Sequence, residues 1–407
     1  MSNKIVESYG LINSHLKQTP LELHERLSKH YECEIYLKRE DQQLTRSFKI
    51  RGALNKISKL TEEEKKKGIV CASAGNHAQG VALAAKIFNV PCHIFLPKIT
   101  PLQKIKQIEY YSNDNCEILV DGDFFSKTLE IALKFTEENN KVFVHPFNDI
   151  DVIYGQGTIG FEIGAQMTPD IILCPIGGGG LVSGIATYFS NQCVQVMGVE
   201  PKNSASMKEA IDKGKIVSLE NSDNFVDGAS VKRVGDVTFE ICKKELSDVL
   251  IVDNNRLCFD MIDLYQKDGI VTEPAGALSV SGLTEIKDKI KGKKVVCIIS
   301  GGNNDVTRYP EIMEKSLQYQ NLLHYYLVEF NQTPGELKKF INNIISDKDD
   351  IIRFEYIKKT NKYKGNVLIG IQVDEPTNVN EINSKLNYFN FKFQEIKRND
   401  LLYDYLI

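Results

Sequence analysis

The chain has 407 residues, 42% hydrophobic and 26% charged, a composition typical of a globular protein with two or three structural units. Its net charge is −4 and no segment is strongly basic, which argues against nucleic acid as a main partner. The nine scattered cysteines contain no Cys-x-x-Cys pair, so we expect a reducing, cytoplasmic location without disulfides or a zinc site. The first residues lack the apolar core of a signal peptide.

Residues 1–40 predict two helices and a short strand at 34–38, and a helix around Lys49 follows. We predict Ser47 as its N-cap, which places Lys49 in the first turn, where the helix dipole disfavours an ammonium group. A neutral lysine amine can attack a carbonyl and form a Schiff base. The alternative is a solvated Lys49 beside a solvated Arg51, and this segment alone favours that alternative.

A strand–loop pattern occurs three times further along the chain. Apolar strands at 68–71, 171–174 and 295–299 lead into the loops Ala72–His77, Pro175–Gly180 and Ser300–Asn303. Further candidate strands are 92–96, 142–145 and 194–199, and a capping box at Thr61 opens a short helix. Continuous apolar strands alternating with helices indicate parallel sheet, in which ligands bind at the carboxyl ends of the strands. We therefore expect the functional site at these loops.

Residues 171–199 carry no charge, which also fits a membrane helix by length. The glycines at 177–180 interrupt this segment, so we interpret it as a buried strand, a loop and a buried helix, and we expect no contact with a membrane.

The four glycines between strand and helix predict a nest of backbone amides for a phosphate group. A purely structural turn is the alternative. The loop lacks the Gly-Lys-Ser/Thr ending of a nucleotide P-loop. Residues 155–160 match the G-x-G-x-x-G fingerprint of dinucleotide-binding proteins at every position. They do not directly follow a predicted strand, so we interpret them as a helix start.

The loop before residue 78 offers hydroxyl, amide and backbone donors suited to a carboxylate or phenolate, from Ser73, Gly75, Asn76 and His77. His77 as a metal ligand is disfavoured because no other histidine has matching spacing. Ser300 follows an apolar strand, where its hydroxyl can bond a ring nitrogen.

A different pattern begins after a linker helix at 304–320. Strands are predicted at 324–330, 351–359, 366–373 and 391–396, with helices at 336–345 and 378–388. The order βαββαβ is ferredoxin-like, and it contains no evident catalytic constellation. We interpret this part as a regulatory or oligomerising module.

Five motifs in order resemble those of the fold-type II pyridoxal-phosphate enzymes and, within them, the threonine dehydratases (threonine ammonia-lyases). These are Ser47–Lys49, Ser73–Gly80, Gly177–Leu181, Glu273–Ala277 and Ser300–Asn303. The resemblance covers essentially the whole chain. It implies a two-lobed α/β catalytic domain at 1–320, with a smaller lobe at about 40–147, mostly parallel sheets and helices on both faces. A ferredoxin-like α+β domain at 321–407 resembles a single ACT-like regulatory domain.

The same resemblance implies roles for individual residues toward pyridoxal 5'-phosphate. Lys49 is similar to the Schiff-base lysine, Asn76 to the partner of the ring hydroxyl and Ser300 to the partner of the pyridine nitrogen. Phe48 is expected beside the cofactor ring. The phosphate cup corresponds to Gly177, Gly178, Gly179, Gly180 and Leu181, and the substrate carboxylate to the loop of Ser73, Gly75, Asn76 and His77. No metal ligand is implied.

The implied reaction converts L-threonine, and secondarily L-serine, into a 2-oxo acid and ammonia at the start of isoleucine synthesis, in a homotetramer inhibited by isoleucine. One alternative is a serine-preferring dehydratase or racemase, which Ala74, Ser204 and Ser206 disfavour because they depart from the racemase pattern. Another is a non-catalytic amino-acid sensor on the same scaffold. For the C-terminal domain, a structural dimerisation module is the alternative to effector binding.

Overall fold

The computed structural model describes residues 1–357, 363–397 and 401–406. Its contacts divide the chain into two units, Met1–Val306 and Thr307–Ile407. The end of the strand predicted at 351–359 lies outside the described residues.

The strands of the first unit are β1 Leu21–Leu23, β2 Glu34–Arg39, β3 Ile69–Ala72, β4 Cys92–Leu96, β5 Cys116–Val120, β6 Val142–Phe143, β7 Ile171–Pro175, β8 Gln195–Pro201, β9 Asp248–Val252 and β10 Lys294–Ile299. They form a six-stranded sheet of order β1-β2-β10-β7-β8-β9 and a four-stranded sheet of order β5-β4-β3-β6. Every pairing is parallel except that of β1 with β2. The predicted parallel α/β architecture is thereby confirmed.

The α-helices of this unit are α1 Ser2–Ile12, α2 Glu25–Tyr31, α3 Lys49–Ser58, α4 Glu62–Lys67, α5 Asn76–Phe88, α6 Leu102–Tyr111, α7 Phe125–Glu138, α8 Ile150–Gln166, α9 Gly180–Phe189, α10 Ser206–Lys213, α11 Asp236–Glu245, α12 Asn254–Asp268 and α13 Pro274–Ser281. Short 3₁₀ segments cover Asn13–His15, Glu40–Gln42, Lys202–Ser204 and Gly282–Lys289. The capping box predicted at Thr61 is present at the start of α4.

Strands β3 and β7 each lead through a short loop into a helix, α5 and α9 respectively. Strand β10 ends at Ile299, directly before the predicted Ser300 loop. All three loops therefore leave the carboxyl ends of parallel strands, as the sequence predicts.

The uncharged segment 171–199 resolves into β7, the glycine loop, α9 and the start of β8. Within the described residues, no helix is long and apolar enough to cross a membrane.

The segment that resembles a dinucleotide fingerprint lies in the middle of α8, whereas we predicted a helix start there. Its glycines provide close helix packing instead. A Cβ atom at Gly155 would lie 2.5 Å from the Arg51 carbonyl oxygen, and one at Gly157 would lie 2.8 Å from that of Gly184. The fingerprint is thus a false match, because it does not join a strand to a helix.

The core of the smaller lobe lies between its sheet and helices α3 and α5. Ile50, Leu54 and Ile57 of α3 pack in one buried cluster with Ala78 and Val81 of α5. The small side chains of α5 let the two helices approach closely, which fixes the loops at which both helices begin.

The second unit consists of α14 Tyr309–Tyr319, β11 Leu323–Asn331, α15 Glu336–Ile344, β12 Asp350–Tyr356, β13 Lys364–Gln372, α16 Asn378–Tyr388, β14 Lys392–Ile396 and α17 Leu401–Leu406, preceded by the 3₁₀ segment Val306–Arg308. Its sheet has the order β12-β13-β11-β14 and is antiparallel throughout. The predicted βαββαβ arrangement is confirmed. Its core is apolar and aromatic, including Val328, Phe330, Phe340 and Ile369.

Candidate active site

Helix α3 begins at Lys49, but Ser47 does not cap it as we predicted. The residue before the helix is Phe48, and no side chain caps this end. Ser47 instead forms an isolated β-bridge with Gly301, and the Phe48 amide donates to the Ser300 carbonyl oxygen at 3.1 Å. Pairing with the end of β10 therefore replaces capping, and it brings Lys49 next to the Ser300 loop.

The amine of Lys49 points into a partly buried environment. Its Nζ donates to the Pro146 carbonyl oxygen at 2.8 Å and lies 5.2 Å from the centroid of the Phe48 ring. Burial lowers the pKa of Lys49 to about 8, and the negative charge of Glu273 opposes that shift. The pKa of Lys49 is thus shifted in the predicted direction, and burial is the main cause of the shift.

Arg51 is fully buried, so the alternative of a solvated arginine is wrong. Its guanidinium donates to Glu40 Oε2 at 2.8 Å and to Glu162 Oε1 at 2.7 Å. Lys38, also fully buried, pairs with Glu162 at 2.5 Å. These two basic and two acidic residues attach the first turn of α3 to α8 and to the end of β2. The helix that carries Lys49 is thereby fixed at its reactive end.

The glycine loop between β7 and α9 forms a cradle of backbone amides. In the part of the chain that the structure describes, the amides of residues 177–182 have no hydrogen-bond partner. A Cβ atom at Gly178 would lie 2.3 Å from the Phe147 ring, and Gly179 has a φ of +94°. The loop thus requires glycine for close approach and for its backbone conformation. Free amides at the start of a helix are suited to bind a phosphate.

Residues 146 and 147 connect this cradle with the lysine. Pro146 accepts the hydrogen bond from Lys49, and Phe147 packs against Gly178 and Gly180. Phe147 is not among the predicted site residues, because an aromatic residue after a short strand has no distinctive signal in the sequence.

The loop before α5 presents a second set of backbone donors. The amides of residues 76–78 lack a partner among the described residues, and Ser73 Oγ accepts from the Gly75 amide at 3.3 Å. The His77 ring is buried and its Nε2 donates to the Val144 carbonyl oxygen at 2.8 Å. Burial lowers the pKa of His77 to about 3. What His77 offers to a ligand at this loop is therefore its backbone amide.

Asn76 is held at both ends of its side-chain amide. Its Nδ2 donates to Glu273 Oε1 at 2.7 Å, while its Oδ1 accepts from Asn303 Nδ2 at 2.8 Å. Asn303 also donates to the Thr45 carbonyl oxygen at 2.8 Å. The orientation of the Asn76 amide is therefore fixed, with its donor group toward Glu273.

Glu273, at the start of α13, is a buried carboxyl group for which the sequence analysis found no role. Burial raises its pKa to about 7, and the hydrogen bond from Asn76 opposes the shift. Its signal in the sequence is that it is the one charged residue between 270 and 283. A lone charge in an apolar segment is costly to bury without a purpose.

Ser300 follows β10 and is buried, with its Oγ donating to the Ala275 carbonyl oxygen at 3.3 Å. The structure therefore brings the predicted residues of all three loops into one region, connected through Pro146, Glu273 and the Phe48 backbone. Leu181 is buried in the first turn of α9. Among the described residues, no group of three or more histidine, cysteine, aspartate or glutamate side chains could hold a metal ion.

A partly buried lysine amine linked to a glycine cradle, at the carboxyl ends of parallel strands, is typical of an α/β enzyme site for a phosphorylated carbonyl cofactor. Residues 12–301 match the family "Pyridoxal-phosphate dependent enzyme", and residues 314–406 match the "C-terminal regulatory domain of Threonine dehydratase".

Relatives support both matches. A biosynthetic L-threonine dehydratase IlvA from Staphylococcus aureus is 47% identical, over 99% of this chain and 97% of its own. Its counterpart from Halalkalibacterium halodurans is 44% identical over 99% of both chains. The processed threonine deaminase isoform 2 of Solanum lycopersicum superposes with a TM-score of 0.73 and 36% identity, over 77% of this chain and 92% of that one. The chain belongs to the biosynthetic L-threonine dehydratases of the pyridoxal-phosphate-dependent enzyme family.

Proposed function

We propose that this site dehydrates and deaminates L-threonine to 2-oxobutanoate and ammonia, as the first step of isoleucine synthesis. The observation that carries the proposal is the partly buried Lys49 amine, whose pKa is lowered to about 8 and which is connected through Pro146 and Phe147 to the Gly177–Gly180 loop. A lysine with that pKa has a far larger neutral fraction near neutral pH than an exposed lysine with a pKa of about 10.4, so it can act as nucleophile and as base.

The residues fit pyridoxal 5'-phosphate by their own chemistry. The unpartnered amides from Gly177 to Leu181 would hold its phosphate, and Lys49 would attach its carbonyl carbon. Ser300 would face the ring nitrogen, Asn76 the ring hydroxyl, and Phe48 the ring. When bound, the cofactor withdraws electrons from the substrate's α-carbon.

Lys49 has the central role in the proton transfer. With its amine free and neutral, Lys49 would take the proton from the α-carbon of the substrate through its Nζ. The loop of Ser73, Gly75, Asn76 and His77, whose free amides begin at Asn76, would bind the substrate carboxylate at the start of α5, where the helix dipole favours negative charge. The β-hydroxyl would then leave as water, taking up the proton that Lys49 has received. Ser300 is a neutral partner for the ring nitrogen, so it does not enforce a positive charge there.

Glu273 and Asn303 position Asn76. Glu273 accepts from the Asn76 Nδ2 and Asn303 donates to the Asn76 Oδ1, so the side-chain amide cannot flip. The orientation of the second N–H of Nδ2 is thereby fixed. Because the Glu273 carboxyl has a pKa of about 7, the charge next to Asn76 changes near neutral pH. Glu273 and Asn303 are therefore positioning residues, and neither is a proposed base.

For the whole chain, we assign residues 1–320 as the catalytic domain and 321–407 as an ACT-like regulatory domain. The matched ranges 12–301 and 314–406 and the ferredoxin-like sheet support this division. Isoleucine is the proposed inhibitor, with the turn at Pro334–Gly335 near its amino-acid backbone. A homotetramer in the cytoplasm is the proposed form of the enzyme.

The test measures 2-oxo acid release by the purified full chain from L-threonine and from L-serine, with and without isoleucine. We expect threonine to be the better substrate and isoleucine to inhibit. Activity that does not respond to isoleucine would keep the enzyme and remove the feedback proposal. Faster turnover of serine, or formation of D-serine, would favour the dehydratase–racemase alternative. A chain with no product and no visible absorption band of a lysine-bound cofactor would be a sensor on this scaffold.

A further inference from the structure

Two cysteines of the smaller lobe lie directly opposite each other in its sheet. Cys92 of β4 is in register with Cys116 of the neighbouring parallel strand β5. Both side chains contact the same apolar cluster, so they are on the same face of the sheet. Neighbouring strands are separated by about 4.8 Å, which lies within the Cα–Cα range of about 4.4–6.8 Å that disulfides require.

The two thiols differ in exposure and in acidity. Cys92 is fully buried, whereas Cys116 is partly exposed on the outermost strand of the sheet. A hydrogen bond from the Cys92 thiol lowers the pKa of Cys116, while the same bond and burial raise the pKa of Cys92. An accessible, more acidic thiol beside a second thiol is the usual arrangement of oxidant-sensitive cysteines.

The surrounding backbone holds this pair in place. The Cys92 amide donates to the Asn115 carbonyl oxygen at 2.9 Å, and Asn115 Nδ2 donates to Asn89 Oδ1 at 2.8 Å. Both cysteines are the first residues of their strands. They therefore lie at the amino-terminal ends of their strands. The Ser73–His77 loop begins at the opposite, carboxyl-terminal edge of the sheet, so the two cysteines are outside the proposed catalytic machinery.

We propose that Cys116 and Cys92 form a dithiol site that hydroperoxides oxidise to a disulfide. The Cys116 thiolate attacks one peroxide oxygen, the O–O bond breaks, and Cys116 becomes a sulfenic acid while hydroxide leaves and takes up a proton as water. The Cys92 sulfur then attacks the Cys116 sulfur and loses its proton, and the sulfenic oxygen leaves as a second water. Two thiols are oxidised and one hydrogen peroxide is reduced to two waters.

The test exposes the full-chain holoenzyme to hydrogen peroxide, then unfolds it and alkylates the remaining thiols, so that buried Cys92 also reacts, and maps peptides by mass spectrometry without reduction. We expect a peptide linked through Cys92 and Cys116 in the majority of molecules, which dithiothreitol reverses. In Cys92→Ser, the sulfenic acid on Cys116 should be trapped by dimedone. Cys116→Ser should leave Cys92 alkylated and form no link.

Cys193 provides the matched control because it is the exposed cysteine of the chain. Cys193→Ser should form the Cys92–Cys116 link as the wild type does. Oxidation of Cys193 with Cys92 and Cys116 both recovered as alkylated thiols would overturn the proposal. The wild-type peptide map alone shows whether the Cys92–Cys116 disulfide forms, even if the Cys92→Ser variant does not fold.

Discussion

The two units of this chain bury very different chemistry. The unit at Met1–Val306 encloses Lys38, Glu40, Arg51 and Glu162, all nearly or completely buried, and Arg51 belongs to the helix that carries Lys49. The unit that begins at Thr307 has an apolar and aromatic core, and its helices and strands alternate in simple amphipathic patterns. The difference indicates that the first core fixes the helix of Lys49 through buried charges, whereas the second core holds its sheet and helices together through apolar packing.

Buried ion pairs add little net stability, but losing one partner is costly because the other charge remains in the core. We therefore expect the first unit to be sensitive to changes of charge, and the second to changes of side-chain volume.

The largest effect on stability is expected from Arg51→Met, which leaves Glu40 and Glu162 without their shared cation. The free energy of unfolding should fall by about 3–5 kcal/mol in denaturant titrations. Arg233→Met is the control, since Arg233 pairs with Asp236 on the surface, and it should cost less than about 1 kcal/mol. Equal effects of the two substitutions would show that the buried network does not anchor α3.

A second, pH-dependent effect is expected from Glu273→Gln. The folded-state pKa of Glu273 is about 7, above the value of about 4.3 for an unfolded chain, so the folded state binds this proton more tightly. Its contribution to stability is complete below the unfolded pKa and is lost as the pH rises through 7.

The wild-type protein should therefore lose stability relative to Glu273→Gln between about pH 5 and pH 8, by at most about 1.4 kcal/mol per pH unit. Denaturant titrations of both cofactor-free proteins across this range measure the difference. A difference that is constant with pH would show that Glu273 does not titrate there.

The smallest effect is expected in the second unit, from Tyr326→Phe. The Tyr326 hydroxyl is buried and has no hydrogen-bond partner among the described residues, so removing it should change the free energy of unfolding by less than about 1 kcal/mol. The neighbouring Tyr325→Phe removes a hydrogen bond of 2.7 Å to Glu314 and should cost about 1.5–3 kcal/mol. Reversal of that order would contradict the description of this core as apolar.

Much of the fold can be predicted because it depends on local patterns. Alternating and continuous apolar segments predict the βαββαβ unit and the parallel strands, and the Gly177–Gly180 loop is recognisable because four glycines exceed what a turn needs. Strand β5 is not among the predicted strands, because Cys116–Val120 lies at an edge of its sheet and contains a charged residue that interrupts the apolar pattern. The strand predicted at 142–145 is shorter in the structure because pairing with β3 covers only Val142 and Phe143.

The features that the sequence does not predict depend on contacts between distant residues. Ser47 has the chemistry of an N-cap, but it pairs with Gly301, more than two hundred residues away. Arg51 looks like a surface residue until Glu40 and Glu162 surround it. Glu273 gains its role only when folding brings Asn76 to it. In each case a tertiary contact overrides the local preference.

The most direct test of the central claim compares Lys49→Ala with Lys56→Ala, which changes a second lysine of the same helix, paired with Asp149 and outside the proposed site. The measurement is the rate of 2-oxobutanoate formation from L-threonine by the holoenzyme, together with its visible absorption spectrum. We predict that Lys49→Ala loses at least about 1,000-fold in rate and the band of the lysine-bound cofactor, while Lys56→Ala keeps both. A Lys49→Ala variant that retains the rate of the Lys56→Ala variant would contradict the assignment of Lys49 as nucleophile and base.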